Sequence, residues 1–312
     1  MKIGIQTNGV FEPLGIEKGF ETIAEAGFDC VDLNLDALIG LSWEEAREGK
    51  PSPFFFDKDK VEAFVRQIRE ASRKTGVIVG QVHAPFPLHF RGCEKANENS
   101  LEYAKICIRI CHECGCGKLI IHPLFEGSMR LTPSTAQEEW KDNIAFYSEL
   151  IPELKKYGVI CCLENMWGQD WRTKKIYVGI CSDMAETNRY IDTLNKIAGE
   201  TCFGFCLDIG HLTLLGIDCY EAIQALGSRL VALHIHDNGG ITDDHVIPYT
   251  GVTIWNRFLR GLAETGYTGT LSFETAESQR KVPSELIPAM LAYTAKIGKY
   301  FDSEITKLKN ET

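Results

Sequence analysis

Long uninterrupted apolar runs are missing from this chain of 312 residues. None reaches the roughly 18 uncharged residues that a membrane-spanning helix needs, so a membrane is not an expected partner. The opening "MKIGIQTNG" reads as a strand and has none of the charged, apolar and small-residue regions of a signal peptide. Basic charge is also short: 33 Lys and Arg stand against 43 Asp and Glu, a net charge of −10. Such a surface does not attract nucleic acid or anionic lipid as a whole. No GxGxxG follows the first strand candidate, where "QTNGVFEPLG" stands instead. That absence argues against a doubly wound dinucleotide-binding sheet. Low-complexity tracts and polar linkers are absent as well.

Cysteine is plentiful, with twelve residues, but a second CxxC pair is not there. The stretch "CHECGC" (111–116) therefore lacks the four-ligand pattern of a structural zinc site. Several cysteines (Cys30, Cys161, Cys162, Cys206) sit inside apolar runs, where the residue behaves as a small buried hydrophobe. Without a signal sequence, this usage points to a reducing cytoplasm and not to a disulfide framework.

What is there alternates. Strand candidates at 2–7, 29–35, 77–83, 118–122, 159–164, 203–208, 230–236 and 270–274 are separated by helix-period segments such as 57–76 and 134–158. Several of these helices stop at a glycine that feeds the next strand, as in "KTGVIVGQV" and "KYGVICCLE". Eight such repeats predict one α/β domain over residues 1–312, a single (β/α)8 TIM barrel. The longest irregular piece, 36–56, follows the second strand and is expected as a lid or substrate wall, or as a decorated surface loop. Its Phe54, Phe55 and Phe56 suit either an apolar lid or a contact in a homo-oligomer.

Polar chemistry gathers at the ends of these strands, which in a barrel converge on one mouth. His83 ends the third, His122 the fourth, Glu164 the fifth, Asp208 the sixth, His236 the seventh and Glu274 the eighth. His211 follows the sixth; Asp243 and His245 lie in the loop after the seventh. An ionised group closing an apolar run is costly unless a cation or hydrogen bonds compensate it. Glu164, Asp208, His236 and Glu274 together make a ligand set for one divalent metal, and a mixed carboxylate–imidazole site suits Mn, Zn, Co or Mg. His234 shares a strand face with His236; it is expected either as a buried hydrogen-bonding histidine or as a group that orients a ligand. Asp243 and His245 are expected either to ligate metal directly, or to form a loop-closing pair or hydrogen-bond to the ligands of the metal. Trp167 and Trp171 are expected either to floor a sugar pocket or to pack within their loop.

The motifs "VHAP", "IHP", "LEN", "LDIGH", "HIHDN", "DDH" and "FET", in this order, resemble the xylose isomerase-like TIM barrel superfamily over essentially the whole chain. Its sugar isomerase and epimerase branch implies a divalent metal on Glu164, Asp208, His236 and Glu274. It implies a substrate contact from His211; His83 and His122 are expected to touch substrate or a second metal, and Asp170 to bind a sugar hydroxyl. Glu164 and Glu274 would be the catalytic base and acid, moving a proton next to a carbonyl through an enediolate. The substrate would be a small carbohydrate: a sugar, sugar phosphate or polyol ketone. The chain departs from the ketose 3-epimerase pattern at Thr242, where those enzymes resemble one another in carrying arginine.

The AP endonuclease branch of the same superfamily implies a multi-zinc phosphodiesterase. It would use His83, His122, Glu164, Asp208, His211, the seventh-strand histidine, Asp243, His245 and Glu274. Against it stands the lack of a basic, aromatic-bearing loop that would clamp DNA: "WEEAREGK" is mixed, and "FPLHF" has only Arg91 nearby. A non-catalytic ligand-binding barrel is the third reading, which the intact set of acids and histidines disfavours.

Overall fold

The structure is a computed structural model and describes residues 1–125, 135–170 and 172–311. Its strands are β1 (Ile3–Gln6), β2 (Cys30–Asn34), β3 (Ile78–His83), β4 (Lys118–Ile120), β5 (Ile160–Glu164), β6 (Trp167–Gln169), β7 (Ile176–Val178), β8 (Phe203–Asp208), β9 (Leu230–His234) and β10 (Leu271–Phe273). Eight of them form one sheet in the order β10-β1-β2-β3-β4-β5-β8-β9, with helices between, which is the (β/α)8 TIM barrel that the alternation predicts. Each of these eight lies within two residues of its expected span. The remaining two, β6 and β7, form an antiparallel hairpin that periodicity did not reveal.

Contacts divide the chain into two compact units. The first comprises Met1–Leu33, Gln67–Gly80 and Phe205–Thr312. In it β1 pairs in parallel with β10 and β2, and β8 pairs with β9 so that Asp208 stands opposite His234. A bridge from Ile235 to Phe273 carries the pairing on from β9 to β10. Its core is aromatic: Phe301 meets Trp255, Phe258 and Phe273 at ring-centroid distances of 5.2, 6.0 and 6.0 Å. Burying each such ring contributes about 1.5–3 kcal/mol, which fixes the sheet that carries the polar strand ends.

The second unit comprises Asn34–Arg66 and Gln81–Gly204. Here β4 pairs in parallel with β3 and β5. The helix Ala136–Tyr157 starts at a capping box, in which the Thr135 side chain accepts from the Glu138 N–H while Glu138 reaches back to the Thr135 N–H. It ends at Gly158, whose φ of 63° is the left-handed conformation of a helix stop. Tyr147 on this helix is fully buried and donates to the Ile121 carbonyl at 2.8 Å, tying the helix to the end of β4.

The irregular piece after β2 is partly structured: a short helix, Trp43–Arg47, has its own capping box of Ser42 and Glu45. Ser52 donates its N–H to the Tyr103 hydroxyl at 2.8 Å, and Phe55 packs buried on that ring. Phe55 is thus core, while Phe56 is exposed. In "CHECGC" the Cys111 and Cys116 thiols donate to backbone carbonyls, the role expected of buried cysteines. None of the twelve cysteines is joined in a disulfide. Among the described residues no helix is long and apolar enough to cross a membrane.

Candidate metal centre

Three polar groups gather at the strand ends of the first unit. Asp208, the last residue of β8, is completely buried and caps the helix Ile209–Leu215 through Oδ1, which accepts the His211 N–H at 2.6 Å. The capping bond fixes the carboxylate plane and aims Oδ2 across to the next strand. His234 is level with it, and its Nδ1 stands 3.1 Å from Glu274 Oε2 and 4.0 Å from Asp208 Oδ2. The other nitrogen, Nε2, lies 3.0 Å from Asp32 Oδ2.

A carboxylate behind an imidazole fixes its tautomer. With a cation bound between them, Nε2–H would be donated to Asp32 and Nδ1 would face the ion beside Asp208 and Glu274. Glu274 is held in turn by Gln6, whose amide donates to Oε1 at 2.5 Å. Two carboxylates and an oriented imidazole fit a divalent ion, because its charge would offset two buried anions.

His236 faces a different set. Its ring stacks on His245 at 3.9 Å and 12°, and its Nε2 lies 3.0 Å from Asp208 Oδ2 and 3.9 Å from Asp243 Oδ1. Asp243 Oδ2 is 3.1 Å from both His211 Nε2 and His245 Nε2. Ligand atoms of His211, His236, Asp243 and His245 all fall within 4.8 Å of one another, close enough to share one ion. The nitrogen Nδ1 of His236 is buried without a hydrogen-bond partner.

The sequence of the next helix makes room for this ring: a Cβ added at Gly210 would lie 1.9 Å from His236 Cε1. Burial would push the Asp243 carboxyl up, but the imidazoles of His211 and His245 outweigh it and hold it well below the usual carboxylate range. Burial opposes charge at His245 too, yet Glu274 and Asp243 raise its pKa to about 9. This group is therefore an ion-paired cluster that a metal would enter by displacing a proton.

The second unit brings His83, His122 and Glu164 together. His83 donates Nδ1–H to its neighbour's carbonyl, Ala84 O, at 2.7 Å, which turns Nε2 inward. That nitrogen is 3.1 Å from His122 Nε2 and 3.9 Å from Glu164 Oε2, and His122 Nε2 is 3.1 Å from the same carboxylate oxygen. The Phe86 ring lies against His122 at 4.7 Å.

The strand-end residues named from sequence are thus brought together as polar groups, in three sets. Glu274 meets His234, and His236 sits with His211, Asp243 and His245. Asp170 lies outside these sets: it caps the turn between β6 and β7, accepting the N–H groups of Arg172 and Thr173 at 2.8 and 2.9 Å. The Thr173 and Arg172 donors hold its pKa down to about 2. Trp167 lies in β6 of the same hairpin, and Trp171 lies outside the described residues. Sequence reasoning missed Asp32 and Gln6. The only signal was one acid inside the apolar run "CVDLN" and one amide at the end of "IGIQ".

Comparison with known proteins agrees with this architecture. An uncharacterized protein of Methanocaldococcus jannaschii is 27% identical over 294 residues, covering 92% of this chain and 88% of its own. A D-tagatose 3-epimerase-like protein superposes with a TM-score of 0.70 at 20% identity, covering 98% of this chain and 99% of its own. The IolI protein, solved with a bound zinc atom, gives a TM-score of 0.68 at 19% identity and covers 99% of each chain. At these identities the two structures show a shared fold. The family model of the xylose isomerase-like TIM barrel matches residues 20–296, and the chain belongs to that family.

Proposed function

We propose that this chain is a divalent-metal-dependent isomerase or epimerase of a small sugar, sugar phosphate or polyol ketone. The observation that carries this reading is His234, whose Nε2 lies 3.0 Å from Asp32 and whose Nδ1 lies 3.1 Å from Glu274 and 4.0 Å from Asp208. The family resemblance adds Glu164 to that set. The geometry favours His234 over His236 as the histidine that shares an ion with Glu274.

A bound divalent metal would supply a Lewis acid that polarises the substrate carbonyl and its neighbouring hydroxyl. The chain's own residues do the rest. One of Glu164 and Glu274 takes the proton from the carbon next to the carbonyl, the electron pair moves into the carbonyl to make an enediolate, and a proton returns. Return to the same carbon on the opposite face is epimerisation; return to the neighbouring carbon is isomerisation. Gln6 keeps Glu274 Oε1 occupied and leaves Oε2 for the ligand and proton chemistry. The relatives in structure named for D-tagatose 3-epimerase and for a bound zinc support the carbohydrate and metal parts of the reading.

The test is solvent exchange. Metal-loaded protein incubated with a ketose and polyol-ketone panel in D2O should place deuterium on a carbon next to the carbonyl. A panel that shows neither exchange nor interconversion, with metal bound, would sink the reading.

A second reading, a multi-zinc phosphodiesterase, is favoured by one specific observation. His211, His236, Asp243 and His245 form a second donor group within the first unit, and His83, His122 and Glu164 form one in the second unit. Metal stoichiometry separates the two readings: about one ion per chain supports the first, whereas three zinc ions with cleavage of an abasic duplex would support the second.

A further inference from the structure

Asp237 lies between His236 and the loop that bears Asp243 and His245, and it is completely buried. Six donors converge on its carboxylate. Oδ1 accepts from the N–H groups of Asn238 and Thr253 at 3.0 and 3.1 Å and from the Thr253 hydroxyl at 2.7 Å. Oδ2 accepts from the N–H groups of Tyr249 and Gly251 at 3.0 and 3.1 Å and from the Trp255 indole at 3.2 Å. Its backbone forms a two-way bridge with Val246, the residue after His245.

The same loop holds two non-glycine residues in the left-handed region, His245 at φ 44° and Tyr249 at φ 71°. Such residues persist only where their surroundings over-determine them. The bonds made by Asp237 provide that constraint: the Val246 bridge acts one residue past His245, and Oδ2 grips the Tyr249 N–H itself.

We propose that Asp237 is the positioning residue that holds His245 and Asp243 in metal-binding geometry. This inference rests on the reading of His211, His236, Asp243 and His245 as a metal-binding group in addition to that of Asp208, His234 and Glu274. It touches neither ion nor substrate; it acts by closing residues 238–255 into one conformation, with His245 stacked on His236. A carboxylate is needed there. Both oxygens face only donors, so an amide in either orientation sets an NH2 against three donor groups.

The experiment titrates Co(II), a spectroscopic stand-in for the native ion, into chelator-stripped full-length protein and follows visible absorption and bound stoichiometry. D237N should weaken one class of site by roughly 10- to 100-fold and leave the remaining metal affinity unchanged. Adding Y249G to D237N should recover part of that loss, because glycine adopts a positive φ without strain. W255F, which removes a single donor and keeps the ring, should give a smaller shift in the same direction even if D237N does not fold.

Unchanged Co(II) affinity in D237N or, where that variant does not fold, in W255F would overturn the inference. So would a folded D237N whose metal sites all weaken equally. Wild-type protein that binds no Co(II) would overturn the metal reading itself, which is a different result from wild-type binding that D237N leaves intact.

Discussion

His234 bridges two carboxylates, with Nε2 3.0 Å from Asp32 and Nδ1 3.1 Å from Glu274. With a metal on Nδ1, Asp32 would stand where a carboxylate stands behind a metal-bound histidine and would fix the tautomer of the ring. D32N should lower divalent-metal affinity by about 10- to 100-fold with the barrel intact. Calorimetric titration of the metal-free protein measures it, and wild-type affinity in D32N would show that Asp32 only fills space.

Glu274 stands in the proposed acid–base pair. E274Q keeps the shape and the Gln6 contact but cannot take a proton. It should slow exchange of the substrate proton with solvent by about 10²–10⁴-fold, read by NMR in D2O at saturating metal. A rate within a few-fold of wild type would move the base elsewhere.

Gly210 leaves room for His236 and nothing else, since a Cβ would fall 1.9 Å from that ring. G210A should cost roughly 1–3 kcal/mol of stability by overpacking and should drive His236 off Asp208. Denaturant unfolding alongside metal stoichiometry reads both effects. Normal stability and full metal content would contradict the close approach.

A pH dependence follows from His245. Its pKa is raised to about 9, with burial opposing the charge and Glu274 and Asp243 stabilising it. A raised histidine pKa stabilises the fold fully below its unfolded value of about 6.5. That stabilisation is lost as pH rises through about 9. Metal-free protein should lose stability from neutral pH upward across this window, and metal-loaded protein should not, because an ion would replace the proton. Parallel denaturation midpoints between pH 6 and 10 decide it: a flat metal-free profile would show that His245 is not charged in the fold.

Much of the site was legible because of where charge interrupts apolar sequence. Glu164, Asp208 and Glu274 each end or directly follow a buried strand. Three carboxylates in such places need either a cation or donors. Asp32 and Gln6 were not legible: one polar residue within a short strand looks the same whether it hydrogen-bonds to its own backbone or to a histidine far away in sequence. The hairpin of β6 and β7 escaped for a related reason, since two three-residue strands carry too little alternation to register.

By itself the sequence determined the eight strands of the barrel sheet, the order of their polar ends and the residue types available to a metal. These follow from hydrophobic periodicity and from the cost of leaving charge in an apolar run. Only the tertiary structure decided which histidine faces which acid. In the sequence His234 and His236 alternate onto one face, and that pattern cannot rank them; in the structure β9 ends at His234. The register of β9 against β8 sets His234 opposite Asp208, while His236, beyond the end of β9, reaches Asp208 with its Nε2 where Gly210 makes room for its ring and His245 covers it.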